Sequence, residues 1–254
     1  AELRSRGIAA TNTPAAFAES TADHTLGLML DMTRRISESD RFVRTGQWAR
    51  GMEPLRWEGT LLGGKTLGII GYGRIAKMVE RRARAFDMEV IHTKSTPHDH
   101  PDYRPLDTLL GEADIVVTLV PLTPETRHLI NAERLQLVKN TAFLINTSRG
   151  GVVDTRAVAT ALHEGRLGGV ALDTFEGEEV WIEEEFAGTG EPPAAELKEA
   201  LESFAILHSD RAILSPHNAF NTREALERIL ATSIENIRAF FAGNPQNVVA
   251  GTYR

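Results

Sequence analysis

The stretch that most limits what this chain can fold into is Gly64–Ala76, Gly-Lys-Thr-Leu-Gly-Ile-Ile-Gly-Tyr-Gly-Arg-Ile-Ala. Lys65–Ile70 carries no charge after Lys65, the pattern of a strand buried on both faces of a parallel sheet. Gly71-Tyr72-Gly73-Arg74-Ile75-Ala76 follows and fits G-x-G-x-x-G/A, and a helical pattern rich in Arg and Ala continues to Phe86. Strand, glycine turn and helix in that order are what a dinucleotide site requires. Gly71 permits the tight turn, Gly73 lets backbone N–H groups approach a pyrophosphate, and Ala76 keeps helix close to strand. The helix N-terminus then faces the anion.

The rest of the chain repeats this unit. Glu89–Thr93, Ile115–Val120, Ala142–Asn146, Gly169–Leu172 and Ala212–Leu214 read as further buried strands. Between them, Leu106–Leu110, a segment capped by Asn131 and running to Leu137, and a segment capped by Asp154 and ending before Gly165 read as helices. The alternation gives the fold class: α/β, a doubly wound parallel sheet forming a Rossmann dinucleotide-binding domain. A last helix, capped by Asn221 or Thr222 and rich in Leu226, Ile229, Leu230, Ile234 and Ile237, stops at Gly243-Asn244-Pro245.

Four segments stand outside the alternation. Gly7–Thr11 reads as one short strand with nothing before it to pair with, and the chain opens on Ala rather than Met, so a preceding segment is expected. A helix over Ala16–Phe42 carries Leu26, Leu28, Met29, Leu30, Met32 and Ile36, a stripe broader than one packing face needs. It suits a fully buried helix or one shared with a partner subunit. The irregular arm Thr45–Trp57 holds two of the three tryptophans, as arms that cover interfaces do. Glu176–Pro193 holds seven Glu, three Gly and two Pro, and a loop this long in a compact fold is functional or disordered.

Bulk properties narrow the partners. The 254 residues can bury a sizeable core in one large or two small domains. A net charge of −7 argues against a nucleic-acid partner, which needs clustered Lys and Arg. The run Arg81-Arg82-Ala83-Arg84 reads as a solvated helix face. With no cysteine there is no disulfide framework and no thiolate metal site, and no metal is expected. No apolar run approaches the roughly 18 residues of a membrane span, and no signal-peptide pattern stands out, so a cytoplasmic protein without a membrane partner is expected.

In an open α/β sheet, ligands sit at the carboxyl ends of the strands. Three candidate catalytic side chains arrive there: Arg149 after the fourth strand, Glu178 after the fifth and His217 after the sixth. Taken singly, each has a plain structural reading as a surface ion pair, a loop acid or a residue leading into a helix. Together they suit hydride transfer to a 2-keto acid. A guanidinium grips the substrate carboxylate bidentately. The developing alkoxide needs a proton, which an imidazole supplies near neutrality, and a neighbouring carboxylate orients that imidazole. Candidate cofactor contacts are Gly71, Tyr72, Gly73, Arg74 and Ile75 in the glycine turn and Lys94 after the second strand. Others are Val120, Pro121 and Thr126 after the third, Thr147, Ser148 and Arg149 after the fourth, then Asp173 and His217.

Several motifs in serial order carry a resemblance. Asn12-Thr-Pro14, Ala18-Glu-Ser-Thr-Ala-Asp-His24, Gly71–Ala76, Val120-Pro-Leu-Thr-Pro-Glu-Thr-Arg-His-Leu-Ile130, Ile145-Asn-Thr-Ser-Arg-Gly-Gly151, Leu172-Asp-Thr-Phe-Glu176 and Ser215-Pro-His217 span nearly the whole chain. The sequence resembles the D-isomer-specific 2-hydroxyacid dehydrogenases. The resemblance implies Arg149 on the substrate carboxylate, His217 as acid/base and Glu178 as its partner, preferred over Glu176 because it lies 29 residues after Arg149. It also implies NAD or NADP, a small 2-keto or 2-hydroxy acid substrate, a homodimer made through the cofactor domains, and two domains. Residues 1–15 would then be a remnant of a flavodoxin-like substrate domain, 16–216 the dinucleotide-binding domain, and 217–254 a helix returning to the substrate domain.

The sequence departs from the family pattern at three points. The further sheet that opens the family's substrate domain is absent. The acidic loop after Glu178 is long and, with Phe220, looks like the D-lactate dehydrogenase branch rather than the glycerate-type members. The acidic residue that normally ends the second strand and binds ribose is replaced by His92-Thr-Lys94-Ser-Thr96. One cation and three hydroxyls there favour NADP over NAD, the other outcome being Asp99 or Asp102 folding back onto the ribose. The competing functional class is a non-catalytic dinucleotide sensor, against which the joint presence of Arg149, Glu178 and His217 speaks.

Overall fold

Six segments hydrogen-bond side by side as one parallel sheet: β2 (Thr66–Ile70), β3 (Glu89–Thr93), β4 (Ile115–Thr118), β5 (Phe143–Asn146), β6 (Gly169–Leu172) and β7 (Ala212–Leu214). This computed structural model describes residues 3, 6, 8–50, 57–97, 99–176, 178, 206 and 209–250. The order across the sheet is β3-β2-β4-β5-β6-β7. The chain steps outward from β2 to β3 and then crosses back to β4, so the order reverses at the carboxyl end of β2, the place where such sheets bind ligands. In register, Gly68 faces Ile91 and Val116, and Asn146 faces Leu172, which faces Leu214.

Both faces of the sheet are covered, which is why its strands lack polar alternation. On one face Leu109 and Leu110 of α4 (Leu106–Glu112), Leu135 of α5 (Ala132–Leu135) and Val158 and Ala161 of α6 (Thr155–His163) pack on Val116, Leu144 and Val170. On the other, Leu26, Met29 and Met32 of α1 (Ala18–Arg34) and Ala76, Val79 and Ala83 of α3 (Arg74–Arg84) pack on Leu67, Ile69, Val117 and Ile145. Asn131 caps α5 through Arg134 N and Asp154 caps α6 through Ala157 N, each as the sequence indicates.

Four expectations change. The helix read over Ala16–Phe42 is broken at Arg35, which adopts φ 53°, and α2 (Ile36–Arg44) restarts beyond it. The cause is a diverted hydrogen bond. Helical pairing would join Ser37 N to the Thr33 carbonyl, but Asp31 Oδ1 takes Ser37 N at 2.7 Å while Thr60 N takes Thr33 O at 2.8 Å. Second, the amino-terminal strand has a partner after all. β1 (Ala10–Thr11) pairs antiparallel with β8 (Val248–Ala250), a strand beyond Pro245 that was not expected. Third, β4 ends at Thr118 rather than Val120, because its partner β2 ends opposite it at Ile70, whose carbonyl takes the last ladder bond from Leu119 N at 2.7 Å. Helix α5 likewise stops short of Leu137. Of the acidic stretch Glu176–Pro193 only Glu176 and Glu178 are described, and residues 51–56 of the tryptophan arm also lie outside the described residues.

The described residues fall into two compact units, one within Ala1–Thr21 plus Phe220–Arg254 and one within Ala22–Ala219. In the first, Thr222 caps α7 (Arg223–Phe241), and Asn236 Nδ2 donates to Asn12 O at 3.0 Å. The second holds the six-stranded sheet and every candidate catalytic residue. Among the described residues no helix is long and apolar enough to cross a membrane.

Candidate active site

The glycine turn closes β2 onto α3. Gly71 sits at φ 94°, and a Cβ there would lie 2.6 Å from Leu119 O and 2.7 Å from Val120 Cγ1, so only glycine fits. Gly73, at the N-cap of α3, has open space where a Cβ would point and makes no side-chain cap. The first N–H groups of the helix are thus left for an anion, as a dinucleotide pyrophosphate requires. The turn fits that cofactor. Arg74 is exposed and Ile75 half-buried beside it. Tyr72 stacks on the fully buried His92 with ring centroids 3.6 Å apart, and its hydroxyl donates to Glu80. Burial first, and then the Glu80 carboxylate, push the Tyr72 pKa up to about 12, so this phenol stays protonated. One residue past β3, Lys94 is exposed, while Asp102 pairs with Arg84 at 2.7 Å.

Arg149 is carried by a turn built around Asn146, the fully buried last residue of β5. Asn146 Oδ1 accepts from Thr118 Oγ1 at 2.7 Å and from Ser148 Oγ at 2.8 Å, and its Nδ2 donates to Arg149 O at 2.9 Å. Thr147 and Ser148 are thereby buried, and Thr147 Oγ1 meets Thr25 Oγ1 of α1 at 3.0 Å. The Arg149 side chain is exposed, with Nη1 on Ser148 O at 2.7 Å. Val120 and Pro121 flank the glycine turn, and Thr126 Oγ1 donates to Pro121 O at 2.7 Å, tying their loop together.

His217 and Glu178 meet. His217 Nδ1 lies 2.9 Å from Glu178 Oε1, while Glu178 Oε2 accepts from Phe175 N at 2.9 Å. A carboxylate only accepts, so Nδ1 carries the hydrogen in this pair. His217 holds φ 49°, a left-handed conformation that a side-chain-bearing residue keeps only when its surroundings enforce it.

Asp173 supplies the enforcement. It is 1% exposed, and its carboxylate accepts from Ser215 Oγ at 2.5 Å, Asn218 N at 2.8 Å and Ala219 N at 2.9 Å. Its backbone carbonyl takes His217 N at 2.7 Å. His24 Nε2, from α1, stands 2.9 Å from Ser215 Oγ and 3.3 Å from Asp173 Oδ1. With the serine proton given to Asp173, His24 Nε2 is the donor. Burial alone would raise the Asp173 pKa, but the His24 and Ser215 side chains and the two N–H groups outweigh it and lower it to about 2. Asp173 thus stands under the loop that presents His217.

Arg149, Glu178 and His217 therefore leave the carboxyl ends of three adjacent strands. Three other residues that shape the site, His24, Asn146 and Ser215, were not singled out from the sequence, and Glu176 was weighed only as the alternative to Glu178. All four lie within the motifs quoted above, which was the available signal.

Fold and site together define a nicotinamide-dinucleotide oxidoreductase, with an imidazole–carboxylate pair on the sheet edge that carries the glycine turn. Residues 26–219 match the family model "D-isomer specific 2-hydroxyacid dehydrogenase, NAD binding domain", and the chain belongs to that family. It is an NAD(P)-dependent enzyme interconverting 2-keto and 2-hydroxy acids. It is 40% identical over 249 residues to a glyoxylate reductase of Thermofilum pendens, covering 95% of this chain and 68% of that protein. The crystal structure of D-lactate dehydrogenase from Aquifex aeolicus, complexed with NAD and lactic acid, superposes with a TM-score of 0.84 at 33% identity, covering 98% of this chain and 75% of that one. An acyclic imino acid reductase, Bsp5, in complex with NADPH and D-Arg, does so at 0.79 and 25% identity, covering 97% and 72%.

Proposed function

We propose that the chain reduces a short, unbranched 2-keto acid, glyoxylate or pyruvate, with His217 as general acid, Glu178 as its orienting partner and Arg149 as the carboxylate clamp. The observation that carries this reading is the 2.9 Å contact between His217 Nδ1 and Glu178 Oε1, one strand away from the turn bearing an exposed Arg149. The bound nicotinamide supplies the hydride. His217 Nε2 delivers the proton to the carbonyl oxygen as it becomes a hydroxyl and recovers it in the reverse direction. The planar fork of Arg149 fixes the carboxylate and so aligns the carbonyl. Further cofactor contacts come from the glycine turn, from Val120, Pro121 and Thr126, and from Thr147, Ser148 and Asp173. The names of the relatives support short substrates.

The preferred cofactor is NADPH. Lys94 stands exposed where a ribose-binding carboxylate is usual, and Asp102 is committed to Arg84. The assembly is a homodimer, supported by α2, which buries none of its residues in its own chain. The test is a spectrophotometric assay of glyoxylate and pyruvate with each reduced cofactor, with fluorescence titration of both. Turnover with a tenfold preference for NADPH, about 1.4 kcal/mol, that collapses in Lys94→Ala is expected. Absence of turnover on either acid overturns the substrate reading. A tenfold preference for NADH unchanged in Lys94→Ala overturns the cofactor reading.

A further inference from the structure

Glu176 and His128 have no part in the chemistry assigned above, yet they close a ring of contacts around the turn that carries Arg149. Glu176 is 7% exposed. Its Oε1 accepts from His128 Nε2 and, at 3.4 Å, from Arg127 Nη2, and its Oε2 accepts at 3.3 Å from Thr155 N, the first residue of α6. The backbone on which Glu176 sits presses against the Arg149 turn. A Cβ on Gly150 would lie 1.9 Å from Phe175 O and 2.4 Å from Glu176 N. On the other side, His128 N donates to Gly151 O at 2.8 Å. Arg149-Gly150-Gly151 is therefore held between two jaws, His128 and Phe175–Glu176, and the Glu176–His128 bond joins them.

Two features mark this bond as a device for geometry rather than for stability. His128 holds φ 49°, a strained conformation in which its N–H grips the Arg149 turn and its imidazole the opposite jaw at once. A pair with Glu176 buried and the His128 side chain 37% exposed adds little net stability, so what it supplies is a fixed arrangement. The segment it fixes also carries the acid partner of His217: Phe175 N donates to Glu178 Oε2 at 2.9 Å, two residues beyond Glu176.

We propose that Glu176 and His128 are positioning residues that set the spacing between the Arg149 guanidinium and the Glu178–His217 pair, and so hold the 2-keto acid between its clamp and its proton donor. The inference rests on the function proposed above. The experiment uses the full chain with His128→Ala, His128→Gln and Glu176→Gln. It reads the KM and kcat for the 2-keto acid, cofactor affinity by fluorescence, and affinity for oxamate, a non-reducible 2-keto acid mimic, in the presence of cofactor. Since misplacement by about 1 Å costs on the order of 100-fold, His128→Ala is expected to lose about 10- to 100-fold in kcat/KM, with the keto-acid KM and oxamate affinity carrying most of the loss and cofactor affinity unchanged. His128→Gln, whose amide can reach Glu176 as Nε2 does, is expected to recover most of it. Glu176→Gln, nearly the same shape, sets an NH2 group against a donor and is expected to repeat the KM-weighted loss, which decides the matter should His128→Ala fail to fold. Unchanged keto-acid KM and oxamate affinity in both His128→Ala and Glu176→Gln, or in Glu176→Gln alone should His128→Ala not fold, or losses that only track thermal stability, overturn the inference while leaving the proposed function standing. A wild-type chain that neither reduces a 2-keto acid nor binds oxamate overturns the proposed function, and this inference with it.

Discussion

At Asp173, donors from two distant segments, His24 of α1 and the stretch from Ser215 to Ala219, converge on one buried carboxylate. A carboxyl lowered from 3.8 to about 2 is charged in the folded protein over a range where the unfolded chain is partly protonated. Its contribution to stability is therefore complete above about pH 4 and fades as pH falls through 2. The shift corresponds to roughly 2 kcal/mol. Asp173→Asn should accordingly lose about 2 kcal/mol in urea unfolding at pH 7, and the gap to wild type should narrow between pH 4 and 2. A gap independent of pH would show that the charge contributes nothing. His217→Asn addresses the chemistry instead: kcat should fall roughly 100- to 10,000-fold while cofactor affinity, by fluorescence titration, stays within about two-fold. Wild-type turnover in that variant would remove His217 from the acid/base role. Arg149 and His217 were legible in the sequence because each stands three residues past a strand, where such sheets bind, and Glu178 was separated from Glu176 by its spacing of 29 residues from Arg149. The contacts of His24 were not legible, since it lies 191 residues from Ser215 and no local pattern couples them. The Glu176–His128 bond is hidden for the same reason, spanning 48 residues.

Elements carry the next constraint, and the pairing of β2 with α4 shows how tight it is. A Cβ on Gly68 would lie 2.6 Å from Leu109 Cδ2 and 2.8 Å from Ala113 Cβ, so the helix rests directly on the strand backbone. Gly68→Ala should cost about 1–3 kcal/mol in urea unfolding as an overpacked core, without altering which cofactor is preferred. An unchanged midpoint would mean that α4 is free to move outward. The strands and helices of the sheet were readable because a strand covered on both faces must be apolar throughout, and caps such as Asn131 and Asp154 act within three residues. The break at Arg35 was not readable. It depends on Thr60 reaching Thr33 O and on Asp31 capturing Ser37 N, and the apolar stripe runs through it undisturbed. The pairing of β1 with β8 joins opposite ends of the chain through strands of two and three residues, too short for a periodicity to register.

For the molecule as a whole, the open question is what covers α2 and the turn that follows it. None of the residues of α2 is buried, and Ile36, Val43 and Trp48 are 53%, 52% and 53% exposed. Single exposed apolar residues are ordinary, but three within one short helix and its exit make a surface that water does not favour. Its location is at the amino-terminal edge of the sheet. Arg35 and Arg41 line a cavity of about 320 Å3 with Phe143, Gly169 and Ala212, which begin β5, β6 and β7. That edge lies opposite Arg149, Glu178 and His217, so a partner could dock there without touching the chemistry. A second copy of the chain would bring its own α2, and a two-fold axis is the commonest way to close such a contact. With a net charge of −7 on each chain, long-range repulsion opposes association and apolar burial must drive it, so added salt should strengthen rather than weaken the dimer. Sedimentation at micromolar concentration should give twice the 27.9 kDa chain mass. Ile36→Glu combined with Val43→Glu should return it to a monomer whose cofactor affinity is unchanged, because the glycine turn is at the far edge. A wild-type monomer at that concentration, or a double variant that remains dimeric, would mean that α2 is not the contact.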